Sequence, residues 1–103
     1  MSPIAELQKQ AERISRLYET SFGIAPGNDW IVFKLQEELG ELTQAYLAAT
    51  ERSRHKLDGA AAQAALGREI ADVLGFTLAL AERLGVDAGS AFEAKWARHE
   101  ASP

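Results

Sequence analysis

The chain has 103 residues, with 15 Asp and Glu against 11 Lys and Arg, and it contains no cysteine. That length suits a single domain over residues 1–103, and a composition 47% apolar and 25% charged is that of a folded globular chain. The net charge of −4, with no basic patch interleaved by aromatics, argues against a nucleic-acid polymer as partner, and the lack of cysteine excludes disulfides and thiolate metal sites.

The N-terminal residues lack the basic stretch and apolar run of a secretion signal, so a cytoplasmic location is expected. Ser2 followed by Pro3 reads as a helix start, an N-cap with proline at the first helical position. Ile4, Leu7, Ala11, Ile14 and Tyr18 then recur on one face, predicting a first helix to about Phe22, stopped by Gly23 and the loop through Asn28. Asn28 or Asp29 is placed to cap a second helix, from Trp30 to about Glu51.

Residues 52–58 are charged and read as a loop, in which Arg52, Arg54, His55 and Lys56 form a solvated basic turn. Asp58 can cap a third helix from about Ala60 to Leu84, with Gly67 a weak point and Gly75 suited to a close helix approach. Gly85 stops that helix, and Asp87 caps a fourth through about Arg98. The longest nearly uncharged run, residues 70–81, is too short to span a bilayer, and no segment shows strand alternation. The expected fold is all-α, a four-helix bundle-like arrangement.

Helical residues advance by about 100°, so faces can be assigned. In the second helix Ile31, Leu35, Leu42, Ala45 and Ala49 form an apolar stripe. Glu38 falls inside it and Glu41 at its edge. In the third helix Glu69 shares a face with Ala65, Phe76 and Leu80, and Asp72 is the sole charge in residues 70–81. Asp72 is therefore expected to be buried or to face a cleft.

The spacing by itself is uninformative. With 15 acidic residues in the chain, composition alone predicts roughly two acidic i, i+3 pairs. What discriminates is placement on apolar stripes, because unpaired buried carboxylates cost several kcal/mol each. A hard divalent cation with oxygen ligands resolves that cost, which points to magnesium (Mg²⁺), with manganese (Mn²⁺) as a substitute. The bland alternative rotates Glu41 and Glu69 into water and leaves one hydrogen-bonded buried carboxylate. His55 and His99 have no ligand-like spacing, which argues against zinc.

Glu37-Glu38-Leu39-Gly40-Glu41-Leu42, joined at a distance to Glu69-Ile70-Ala71-Asp72-Val73-Leu74, resembles the paired motifs of the MazG-like all-α nucleotide pyrophosphohydrolases. The resemblance runs from about Trp30 to Arg98, taking in Leu84-Gly85-Val86-Asp87 and Lys95. It implies cleavage of a nucleoside triphosphate between its α and β phosphates, giving a monophosphate and pyrophosphate. It further implies Mg²⁺ on Glu38, Glu41, Glu69 and Asp72, and assembly as a homodimer or homotetramer. Glu37, beside the first motif, is then a candidate for a second metal or for orienting water, with Glu38 the other catalytic candidate. The aromatic-histidine pair usual after the second motif in phosphoribosyl-ATP pyrophosphohydrolases is replaced here by Leu74-Gly75-Phe76.

Around this core, Lys34, Lys95 and Arg98 are candidate phosphate clamps, set against ordinary solvated helix cations. Trp30 and Trp96 can stack on a base, although packing is the commoner role of such rings. The third helix demands burial on nearly all sides, which predicts a homo-oligomer. Two other functions compete: a phosphoribosyl-ATP pyrophosphohydrolase-type enzyme, and a non-catalytic helical metal-binding or interaction module.

Overall fold

The computed structural model describes residues 3–50 and 59–101, and every regular element among them is helical. The all-α expectation is borne out. The elements are α1 (Pro3–Phe22), α2 (Asp29–Ala49), α3 (Gly59–Arg83), α4 (Ala88–Phe92), a π-helical turn Glu93–Ala97, and α5 (Arg98–Ala101). The caps assigned to Ser2 and Asp58, the end of the second helix at Glu51 and the basic turn of Arg52, Arg54, His55 and Lys56 lie outside the described residues. No described helix is long and apolar enough to cross a membrane.

Local chemistry sets the helix ends. Gly23 takes φ +63°, and Ile24 N–H donates to the Glu19 carbonyl at 2.9 Å. At the end of α3, Gly85 takes φ +70°; Val86 N–H reaches Ala81 O at 2.9 Å and Gly85 N–H reaches Glu82 O at 3.2 Å. These two bonds are the Schellman pair, which needs a left-handed residue that glycine supplies without a Cβ penalty. The Asp87 carboxylate then accepts from Ser90 N–H at 2.9 Å and caps α4. The fourth helix differs from expectation in its middle. Its backbone stays helical through Phe92 and Glu93 but widens into the π turn before closing at Arg98.

The described residues form two compact units, Asp29–Phe76, and Met1–Asn28 with Thr77–Pro103. In the first, α2 and the start of α3 run antiparallel. Trp30 meets Phe76 edge-on with ring centroids 6.3 Å apart, while Glu38, further along α2, pairs with the earlier Glu69 and Asp72 of α3. Ile31 is fully buried, Ala48 and Ala62 nearly so, and Leu35, Leu42, Ala45 and Ala49 are half-buried. This is the stripe expected for α2.

The burial expected all round α3 does not occur within this unit. Ile70 is 51% exposed and Leu74 47%, because one neighbouring helix covers only one side of α3. Apart from its own helix, no described residue lies within 4 Å of the place a Cβ on Gly75 would take, so no close helix approach occurs there among the described residues.

In the other unit α1 buries a polar strip: Leu7 and Ile14 are 44% and 56% exposed, whereas Gln8, Ser15 and Glu19 are buried. The cause is Arg83, whose side chain is 1% exposed and must have acceptors. Its Nη1 donates to Glu19 Oε2 and to the Gly27 carbonyl, both at 2.7 Å, and Nη2 donates to Ser15 Oγ at 2.9 Å. The Gln8 amide donates to Val86 O at 2.6 Å and to Glu82 Oε1 at 3.2 Å, and it accepts from Ala88 N–H at 3.0 Å. The polar strip of α1 is thus placed inward by its own hydrogen bonds.

Candidate metal centre

All four carboxylates named from the two motifs lie in the Asp29–Phe76 unit. Glu38, in the buried stripe of α2, is 6% exposed. One carboxylate oxygen from each of Glu38, Glu69 and Asp72 lies within 4.8 Å of the others, and the same holds for Glu37, Glu38 and Glu41. Glu38 belongs to both groups and joins them. The helical spacing explains this: Glu38 and Glu41 are neighbours one turn apart, as are Glu69 and Asp72, and the antiparallel pairing brings the two turns together.

Of the two placements expected for Asp72, in the interior or facing a cleft, the interior one is not found: Asp72 is exposed, while Glu69 is half-buried. The short side chain nevertheless brings an oxygen to Glu38 and Glu69. Depth in the cluster therefore falls from Glu38 through Glu69 to Asp72.

Glu38 shows the electrostatic strain of this arrangement. Its carboxyl is pushed up from 4.5 to about 7, first by burial and then by the charges of Glu41 and Asp72, with a hydrogen bond to Glu41 and the charge of Glu69 adding to it. Oε2 of Glu38 and Oε2 of Glu69 are buried with no hydrogen-bond partner. Orphaned buried carboxylate oxygens are costly and want either a donor or a cation. The donor set is all oxygen, which suits Mg²⁺ or Mn²⁺ and not the nitrogen and sulfur preference of zinc.

Lys34 stands one turn before Glu38. Its Nζ is 3.3 Å from Glu37 Oε1 and 4.0 Å from Glu38 Oε1. Trp30, a further turn back, is half-buried and packed against Phe76. Lys95, Trp96 and Arg98 belong to the other unit, on the C-terminal helical segment. Trp96 is 62% exposed and stacks on Phe92 with centroids 5.7 Å apart.

Sequence reasoning missed the Arg83–Glu19–Ser15 network. Its signal was present: Gln8, Glu12, Ser15 and Glu19 recur at helical spacing as a polar stripe, with an arginine at the end of α3 to face it. No protein-family model matches the chain, and no curated protein or solved structure matches it.

Proposed function

We propose that this chain is a Mg²⁺-dependent nucleotide pyrophosphohydrolase of the MazG-like kind, cleaving a nucleoside triphosphate to monophosphate and pyrophosphate. The observation that carries this reading is Glu38, a nearly buried carboxylate with an orphaned oxygen at the junction of two carboxylate groups. A purely structural helix pair would place leucine there at little cost.

A bound Mg²⁺ would polarise phosphoryl oxygens, acidify a water and offset the charge of the leaving pyrophosphate. Glu38, Glu41, Glu69 and Asp72 are assigned to hold it, on rigid helical turns that fix their positions before substrate arrives. Glu37 is exposed at the edge of the second group, which suits orienting water and taking its proton. Lys34 adds a cation beside that edge, where phosphate oxygens need one. Phosphoryl transfer asks mainly for positioning and charge stabilisation, and this cluster offers both.

The assay is pyrophosphate release from a panel of ribo- and deoxyribonucleoside triphosphates and phosphoribosyl-ATP, with and without Mg²⁺. Asp72→Asn and Glu38→Gln are expected to lower the rate by at least about a hundredfold, the scale of losing a positioned electrostatic group. Mg²⁺ binding without release from any substrate would favour the non-catalytic module.

Self-association is part of the proposal. Val32, Phe33, Leu39 and Tyr46 on α2 and Ile70 and Leu74 on α3 are all more than two-fifths exposed. Covering such faces with a second copy would bury them at about 25 cal/mol per Å². Sedimentation should show a dimer or tetramer at micromolar concentration, and monomer alone would exclude it.

A further inference from the structure

Resting on that reading, we infer that Lys34 is the built-in counter-cation of the carboxylate cage, and that an arriving divalent cation must displace it. The charges decide the matter. Glu37, Glu38 and Glu41 form one close group of carboxylates and Glu38, Glu69 and Asp72 another, joined through buried Glu38. Among the described ion pairs, those of Lys34 are the ones that reach this cluster, through Glu37 at 3.3 Å and Glu38 at 4.0 Å.

Both carboxylates touched by Lys34 belong to the Glu37, Glu38 and Glu41 group, and Glu38 also belongs to the group with Glu69 and Asp72. A divalent ion on either group therefore draws on a carboxylate that the ammonium already engages. Two cations held by the same carboxylates repel each other strongly in a partly desolvated site. Lysine is suited to yield, being a point charge on a flexible four-carbon stem with no fixed fork geometry. Its side chain is 27% exposed, so a rotamer change carries the ammonium outward into water.

Metal binding is thus an exchange, and Lys34 sets its threshold. The ammonium steadies the metal-free protein and weakens its hold on Mg²⁺. An ordinary surface pair at helical spacing would leave Mg²⁺ affinity untouched, which separates the two roles.

The test is calorimetric titration of the full chain with Mg²⁺ alone, without nucleotide, for the wild type, Lys34→Met and Lys34→Arg. Lys34→Met is expected to bind Mg²⁺ roughly fivefold more tightly, the range of one exposed ion pair removed. Its metal-free melting temperature should fall below the wild type, and saturating Mg²⁺ should close that gap. Lys34→Arg should bind Mg²⁺ about twofold more weakly, because a guanidinium grips carboxylates better. Mg²⁺ binding of equal strength in all three proteins, or weaker binding in Lys34→Met, overturns the exchange and leaves the functional reading standing. No Mg²⁺ binding by the wild type overturns both.

Discussion

Glu38→Gln is expected to make the metal-free protein more stable than the wild type above neutral pH, while abolishing its response to Mg²⁺. The folded-state carboxyl titrates near 7 against an ordinary value of 4.5, so the folded protein holds this proton more tightly than the unfolded chain. Below about pH 4.5 the group is neutral in both states and costs nothing. As pH rises from there to about 7 the wild type loses stability, because ionising Glu38 is harder in the fold than in water. The full rise corresponds to about 3 kcal/mol at most, shared among the coupled carboxylates. Glutamine keeps the shape and removes the titration.

Urea unfolding of both proteins across that pH range gives the measurement. Their stabilities should converge in acid and separate towards neutrality, with the variant the more stable. Adding Mg²⁺ should raise the wild type alone, and more at higher pH, since the ligands bind the ion deprotonated. Parallel pH profiles would show that Glu38 is not strained in the fold. The expected gain from losing an ionisable charge is the signature of a residue kept for function at the expense of stability.

The second large effect is expected at Arg83. Its guanidinium is almost fully buried and holds Glu19, Ser15 and the Gly27 carbonyl, with Glu12 Oε1 3.7 Å from Nε. Arg83→Met leaves Glu19, itself 5% exposed, without its closest partner; Arg16 lies further off at 3.6 Å. Breaking one side of a buried pair costs about 3–5 kcal/mol. That is a large fraction of the stability of a chain this size. The double variant Arg83→Met with Glu19→Gln should recover part of the loss, because the stranded charge is gone. A loss below about 1 kcal/mol in the single variant would mean that the network is solvated in solution. Arg83→Lys is not a conservative change here, since one ammonium cannot reproduce the fork onto three acceptors.

Some of this was legible in the sequence because it is local. Helix stops at Gly23 and Gly85 and the Asp87 cap depend on backbone chemistry within a few residues, and they stand where the residue types put them. The α2 stripe with Glu38 inside it follows from helical period, and periodicity survives whatever packs against it. The four carboxylates could be named for the same reason. The buried strip of α1 could not, because the apolar recurrence of Ile4, Leu7, Ala11, Ile14 and Tyr18 gives no weight to a polar strip with its own partners. Arg83 comes from more than 60 residues away in the chain, so the bonds that turn α1 are invisible to any local pattern. For Asp72 the sequence left burial and a cleft both open for a related reason: a run apolar all round says that burial is wanted, not which side a single neighbouring helix will cover.

By itself the sequence determined the helical elements, the stops at Gly23 and Gly85, the Asp87 cap and the residue types of the site, since each rests on contacts spanning one or two turns. Only the tertiary structure decided which oxygens meet, that Glu38 is the deepest and joins the two groups, and that Lys34 already occupies their edge. Those are distances between turns, set by how α2 and α3 are paired, and the charges acquire their strain only when that pairing removes them from water.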